Sequence, residues 1–373
     1  MLERGEPPTR DVVKHIDRCL SCLSCMTTCP SGVNYMHLVD AARSHIGRHF
    51  RRPWPERLLR RTLAFILPEP SRFHAALRLA GLARPLAPLL HSLGLKRAAA
   101  MLRLAPATLP PHEDFTGTHS VQGRRKARVA LLTGCAQSVI APEINAASLS
   151  LLARLGIEVI VPEAQGCCGA LTHHMGMEED ALNRARRNIA AWEAASVEAV
   201  IINTSGCGTT VKDYGHMLRL DPDWELRAAA MAARAKDITE YLTPAALAGA
   251  KAPRAMRIAY HSACSMQHGQ NIKTLPQKLL RQAGFEVAEV PEGHLCCGSA
   301  GTYNILQPEL ATRLRERKVA NIEALRPDAI ATGNIGCITQ IAQGTALPIL
   351  HTVELLDWAM GGPEPLALRP QRR

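Results

Sequence analysis

The chain has 373 residues, with 44 Lys plus Arg against 33 Asp plus Glu, twelve Cys and only 14 aromatic residues, a length suited to two or three domains of about 150 residues. Its 47% apolar content is enough to build real cores and excludes a disordered chain, while a Cys share of about 3% excludes a disulfide-stapled miniprotein. No stretch of about 18 apolar residues could span a bilayer, and the opening MLERGEPPTRD lacks the apolar stretch of a secretory leader, so the reading is of an intracellular chain whose clustered thiols bind metal or do redox work.

The first element is a cysteine run. Cys19, Cys22, Cys25 and Cys29, followed by Pro30, match the ligand spacing of bacterial ferredoxin-type [4Fe–4S] clusters, in which short spacers wrap the backbone around the cluster. In two-cluster modules the Cys before Pro serves the other cluster. Only one run is present, so Cys29 closes its own site, or a remote Cys does, or a partner run lies upstream of Met1. The last is the expectation adopted for a module over 1–45.

A connector follows over 46–127. From Arg43 to Arg128 there are 17 Lys or Arg against four acids, a balance of +13 that leaves −2 for the rest of the chain. Apolar positions such as Leu58, Leu59, Leu63, Phe65 and Ile66 predict short amphipathic helices broken at Pro68 and Pro70. Such helices suit an anionic membrane surface or a partner subunit, with a solvated basic face as the plain alternative. Nucleic acid is disfavoured, because no aromatic residues interleave with the charges.

The remaining chain is a repeat. Cys135 precedes Cys167 by 32 residues, and Cys264 precedes Cys296 by the same interval. Each unit then has a tandem pair and Gly (Cys167-Cys168-Gly169, Cys296-Cys297-Gly298) and ends on Gly-Cys at Cys207 and Cys337. Each Cys follows a short apolar, β-branched run, with helical patterns between, which predicts two units over 128–250 and 251–373 with largely parallel sheets. Ligands gather beyond the carboxyl ends of such strands, where all eight thiols fall. Neighbouring residues in a strand face opposite ways, so the paired thiols need a turn that Gly169 and Gly298 permit. Thiolates without His at ligand spacing favour iron–sulfur clusters or redox chemistry, and zinc is disfavoured by the absence of C-x2-C knuckles. His261, His294 and His173-His174 are read as hydrogen-bonding support for thiolates rather than ligands, the last pair equally as an exposed helix start. Tyr214 and Tyr303 are read as packing residues. Neither a GxGxxG loop nor a P-loop is present, and no triad offers substrate chemistry.

These motifs resemble the iron–sulfur subunits of glycolate oxidase (glycolate dehydrogenase), within the broader heterodisulfide-reductase-like family carrying two CCG domains. The residues concerned are DRCLSCLSCMTTCPSGVNY, RRPWPERLLR, LLTGCAQ, AQGCCGA, TSGCGTTVKDYGHML, HLCCGSAGTY and TGNIGC. The resemblance implies an α/β chain: a short helical ferredoxin-type module, then two tandem CCG domains. It implies an electron-transfer subunit without catalytic residues, working beside flavin-containing subunits that oxidise glycolate to glyoxylate. Electrons would pass toward a membrane acceptor, from a cytoplasmic site peripheral to the inner face of the membrane. Cys19, Cys22, Cys25 and Cys29 would hold the [4Fe–4S] cluster, and Cys135, Cys167, Cys168, Cys207, Cys264, Cys296, Cys297 and Cys337 would be cofactor ligands. Lactate-utilisation, glycerol-3-phosphate and heterodisulfide-reductase-type complexes are the alternatives. The last is weakened because its repeats end in C-x2-C, where this chain has Thr210 and Gln340.

Overall fold

The structure, a computed structural model, describes residues 5–106, 108–121 and 123–369, so the outermost residues of the first and last expected domains lie outside it. Two sheets organise the repeat. The first takes the order β1-β3-β2-β4-β5, with β1 Gly117–His119, β2 Ala127–Leu132, β3 Ile157–Val161, β4 Ala199–Ile202 and β5 Ala235–Asp237. The second takes β7-β6-β8-β9, with β6 Arg257–Tyr260, β7 Glu286–Glu289, β8 Ala329–Thr332 and β9 Ile349–His351. Every pairing is parallel except that of β1, an antiparallel edge on β3.

The expected α/β architecture is therefore present twice. Strands β4 and β8 are buried at every residue, as parallel strands covered on both faces must be. One apolar core runs through both sheets, joining Val129, Leu131 and Ile201 to Ile258, Tyr260 and Leu350. Helix Thr352–Ala359 of the second unit packs on helix Pro142–Arg154 of the first, with Ser150 Oγ donating to Asp357 Oδ1 at 2.9 Å. The two repeats thus share an interior and hold a fixed relation to each other.

Helices Arg10–Asp17, Ser24–Thr28 and Tyr35–His49 form the N-terminal module, which wedges between the units. Its long helix lies on the first unit: a Cβ at Gly47 would come within 2.6 Å of the Gly176 carbonyl, so the backbones meet where no side chain fits. Asp40 of that helix takes ion pairs from His173 (3.2 Å) and His174 (3.8 Å). Its cysteine loop lies on the second unit, where Ser24 Oγ and Thr27 Oγ1 bond the His268 ring at 3.1 and 2.7 Å and Ser24 Oγ donates to the His294 carbonyl at 3.3 Å.

The basic segment is helical over Trp54–Ile66, Pro70–Ala83, Ala87–Ser92 and Lys96–Leu104. Arg52 grips Asp17 with two bonds of 2.6 and 2.9 Å, tying this arm to the first helix. Phe73 and Leu77 pack with Val139 of the first unit, and Lys96 pairs with Glu309 of the second. Its outer face leaves Leu79, Leu82, Leu86, Leu89 and Leu93 more than half exposed. No helix among the described residues is long and apolar enough to cross a membrane.

Two outcomes follow from this packing. Gly298 has φ +92°, and a Cβ there would meet the Ala311 carbonyl at 2.5 Å, whereas nothing lies within 4 Å of one at Gly249. Gly298→Ala should therefore lower stability by about 1–3 kcal/mol and Gly249→Ala hardly at all, read by thermal melting. Burial would raise the Asp40 carboxyl, yet the neighbouring His173 and His174 rings hold it well below the usual carboxylate range. Burial also opposes charge on His173, but Asp40 outweighs it and raises the imidazole pKa. The carboxylate contribution is present above the ordinary Asp value and lost as pH falls through the lowered one. The imidazolium contribution is complete below the ordinary His value and lost as pH rises through the raised one. Several other histidines, His216 and His351 among them, have lowered pKa values and act in the opposite sense. From about pH 6 to about 9 the melting temperature of the wild type should therefore fall relative to that of Asp40→Asn. Equal slopes would contradict the pairing.

Candidate metal centre

Parallel strands bring the repeat thiols to one rim. Cys135, the Cys167-Cys168 pair and Cys207 follow the carboxyl ends of β2, β3 and β4. Cys264, the Cys296-Cys297 pair and Cys337 follow those of β6, β7 and β8. Gly169 (φ +86°) and Gly298 supply the turn after each pair, and a Cβ at Gly169 would already press on the Ala181 carbonyl at 3.0 Å. Each pair's thiols can then join the same group of sulfurs.

In the first unit the Cys135, Cys167 and Cys168 thiols lie close enough to perturb one another's ionisation, with Cys207 beside them. Cys135, then Cys168, the Gly169 N–H and nearby Arg184 hold the Cys167 pKa well below the ordinary thiol value, against the effect of burial. Its bond to Cys167, together with burial, pushes Cys135 up. The backbone of the pair is pinned by Tyr214, fully buried, whose hydroxyl donates to the Cys168 carbonyl at 2.9 Å. Asn188 Nδ2 donates to the Cys167 carbonyl and to Tyr214 Oη, each at 3.2 Å. Tyr214 is thus a packing residue that also fixes the cysteine turn.

In the second unit Cys297 Sγ lies 3.4 Å from Cys337 Sγ, and the Gly298 N–H donates to Cys296 Sγ at 3.4 Å. Asn334 Nδ2 approaches Cys337 Sγ at 3.5 Å. The Cys264 pKa is pushed up by its bond to Cys296 and by burial. The positions that break the C-x2-C pattern do other work. Gln340 is buried, donating to the Ala311 carbonyl and accepting from Asn304, each at 3.2 Å.

The N-terminal run meets both units. Cys19, Cys22 and Cys25 line a cavity of about 250 Å³ together with Cys135, Cys167, Cys168, Cys207, Cys264, Cys296 and Cys337. Ten of the twelve thiols, from three separate segments, face one chamber. Left-handed backbone at Ser21 (φ 51°) and Leu23 (φ 61°) turns the short spacers so that the three thiols converge. Their proximity registers in Cys25, whose pKa is raised by burial and then by the charges of Cys22 and Cys19. Arg43, buried on the long helix, holds the loop by donating to Ser21 Oγ (2.5 Å) and the Cys19 carbonyl (2.9 Å). Clustered soft thiols without competing hard donors among themselves are the donor set that iron–sulfur groups require, so these residues fit one.

Cys29 and Cys297 do not line the chamber. Cys29 lies by Tyr35, 4.0 Å from its hydroxyl, and the N–H groups of Val33 and Ser31 lower its pKa. His173 is largely buried on Asp40 rather than forming part of an exposed pair. His294 contributes its carbonyl to the docking of Ser24. His261 is buried, and neither ring nitrogen has a hydrogen-bond partner, so it does not bond a thiol as expected. Asp40, Arg43 and Arg184 carry no local sequence signal, since each owes its role to a neighbour remote in the chain. Tyr303 lies near Cys296, Cys19 and Cys22, between the module and the second unit.

A family model, the cysteine-rich CCG domain, matches residues 129–212 and 258–342, one match on each sheet. The glycolate oxidase iron–sulfur subunit of Escherichia coli (strain K12) is 38% identical over 95% of this chain and 84% of the relative. A probable glycolate oxidase iron–sulfur subunit of Bacillus subtilis (strain 168) is 33% identical over 90% of this chain and 79% of that relative. Lactate utilization protein A of Geobacillus thermodenitrificans is 29% identical over 62% of the chain. Likeness at that level across nearly the whole length, with the cysteine-rich domain recurring on both sheets, makes the chain a member of the glycolate oxidase iron–sulfur subunit family.

Proposed function

We propose that the protein is the electron-transfer subunit of a glycolate-oxidising complex, with Cys19, Cys22 and Cys25 holding a [4Fe–4S] cluster. When bound, that group supplies one-electron transfer at a potential set by its surroundings. The observation that carries the reading is the single chamber faced by thiols from the N-terminal run and from both repeats. Cys29, turned aside toward Tyr35, occupies the position that two-cluster modules assign to a second centre. The repeat cysteines add further metal-binding or redox-active sulfur to the same enclosure. Arg43 and His268 position the N-terminal loop against them, and Arg184 favours negative charge on Cys167.

Substrate oxidation belongs to flavin-containing partners, and this chain's chamber, lined by ten thiols, suits the carriage of electrons. The relatives named as glycolate oxidase subunits favour glycolate. The lactate utilization relatives match a smaller share of the chain, and Thr210 and Gln340 argue against a heterodisulfide-type activity. The exposed leucines of the basic arm suit peripheral attachment to an anionic membrane, where electrons would leave the complex.

Three measurements test this reading. Cys22→Ser, prepared anaerobically, should lose about four iron atoms and the low-spin paramagnetic resonance signal of the reduced protein, while circular dichroism of the sheets is unchanged. An undiminished signal would refute the assignment. The chain should co-purify with a flavoprotein that reduces an artificial acceptor when given glycolate; a complex that reduces disulfides and ignores glycolate would displace it. In flotation assays the protein should bind phosphatidylglycerol vesicles and not phosphatidylcholine ones. Replacing Leu82 and Leu89 together by Glu should weaken that binding by about tenfold or more.

A further inference from the structure

The first unit carries titratable side chains where the second carries neutral ones. His173 stands five residues after Cys168 and Asp213 six after Cys207, whereas the second repeat has Thr302 and Gln343 at the same offsets from Cys297 and Cys337. His173 and Asp213 line the chamber together with Asp40 of the long helix. The same three residues border a second, smaller cavity of about 60 Å³, whose walls also include His37, Glu178, His216 and Arg219. They therefore form a partition between the chamber and this outer cavity. The outer side is open to solvent, since the Glu178 side chain is 45% exposed and Arg219 is exposed.

The partition is built from two ion pairs. Asp40 Oδ2 lies 3.2 Å from His173 Nε2, and Asp213 Oδ1 lies 2.8 Å from His37 Nε2. His37 is the more exposed ring, and it stacks on His216 with centroids 3.4 Å apart and planes parallel. Two imidazoles so placed cannot both be charged without repulsion, and burial, then the charge of His37, pushes His216 down to about 4. Burial raises the Asp213 carboxyl, and His37 offsets this only in part. The groups facing His173 are Asp40, His37 and Arg43 on the long helix, Asp213, His216 and Arg219 on and beside helix Tyr214–Met217, Glu178, its neighbour His174 and the chamber thiols. The outer cavity has room for a few water molecules, which need about 10–15 Å³ each. Solvent thus reaches the His37–Asp213 pair first, and water in the cavity links it to the His173–Asp40 pair on the chamber wall. An electron entering an enclosed space of low dielectric is disfavoured unless positive charge follows it, and imidazole is the side chain that takes up a proton near neutral pH.

We propose that His37, Asp213, His173 and Asp40 form a proton port that couples reduction in the chamber to proton uptake from solvent. One electron, supplied by a reduced flavin of a partner subunit, enters the chamber. One proton leaves the solvent, passes His37 and Asp213, and converts the His173 imidazole to imidazolium, so the net charge of the enclosure is unchanged. The coupling is reciprocal: a protonated His173 eases reduction, and reduction eases protonation. Asp40 holds His173 charged below the ordinary His value, so uptake appears only as pH rises through the raised one. The port deepens the electron-transfer reading of the chamber and rests on it.

The test uses the anaerobically purified full chain with its iron, reduced by dithionite from about pH 6 to about pH 9, with proton uptake read by an indicator dye and the centre's potential by its paramagnetic resonance signal. Uptake should rise from near zero at about pH 6 toward about one proton per electron, and the potential should fall over the same range. His173→Gln should lower the maximal uptake at least about threefold. His37→Gln, at the outer end, should slow uptake at least about fivefold in stopped-flow records, which a merely structural role would not do; an unchanged rate overturns the route. If His173→Gln does not fold, Asp40→Asn decides: the onset of uptake should move to lower pH, and an unmoved onset overturns the port. A reducible centre with no proton uptake, or with uptake undiminished in His173→Gln, overturns the port alone. A wild type with no reducible centre overturns the electron-transfer reading and the port with it.

Discussion

Parallel strand pairing does the gathering on which everything else in this molecule depends. Because β2, β3 and β4 run the same way, their carboxyl ends share one edge, and cysteines about 70 residues apart arrive there together. The same holds for β6, β7 and β8. Since the two sheets share one apolar core, the rims are fixed relative to each other rather than free to drift. A thiol-lined chamber then needs only a lid, and the N-terminal module supplies one.

That lid is held by polar contacts as much as by apolar ones. Asp40 reaches His173 and His174 on the first unit, His268 reaches back to Ser24 and Thr27 from the second, and Arg43 braces the cysteine loop from within the module. Buried charges of this kind are costly unless paired, so each partner tends to specify one placement of the module. The outcome is a wall in which sulfur from three segments faces the same small volume. The two repeats are not chemically equal within it. Arg184 and hydrogen bonds favour a charged Cys167 in the first, whereas the second encloses His261 and Lys318.

Much of this was legible in the sequence, because cysteine spacing is a local and repeated signal. The 32-residue interval, the paired Cys and their Gly predicted two alike units with parallel sheets, and both sheets are there. The short strands β5 and β9, Ala235–Asp237 and Ile349–His351, escaped, since three residues cannot display a period. Pro70 opens a helix rather than only ending one, as its fixed φ suits a first turn. The convergence of the N-terminal thiols with the repeat thiols was invisible, because it depends on docking contacts among residues more than 100 positions apart. His261 read as a hydrogen-bonding neighbour of sulfur, whereas it is buried with neither ring nitrogen bonded, which only the packing reveals.

The central claim is that metal-bearing sulfur from three chain segments occupies one enclosure. Anomalous diffraction at the iron edge, from crystals grown anaerobically, tests it most directly. The account predicts iron density inside the chamber, bounded by Cys19, Cys22 and Cys25 on one side and by the rim of the first sheet on the other. Iron found only on the outer surface, or thiols of the N-terminal run facing solvent away from both sheets, would contradict it.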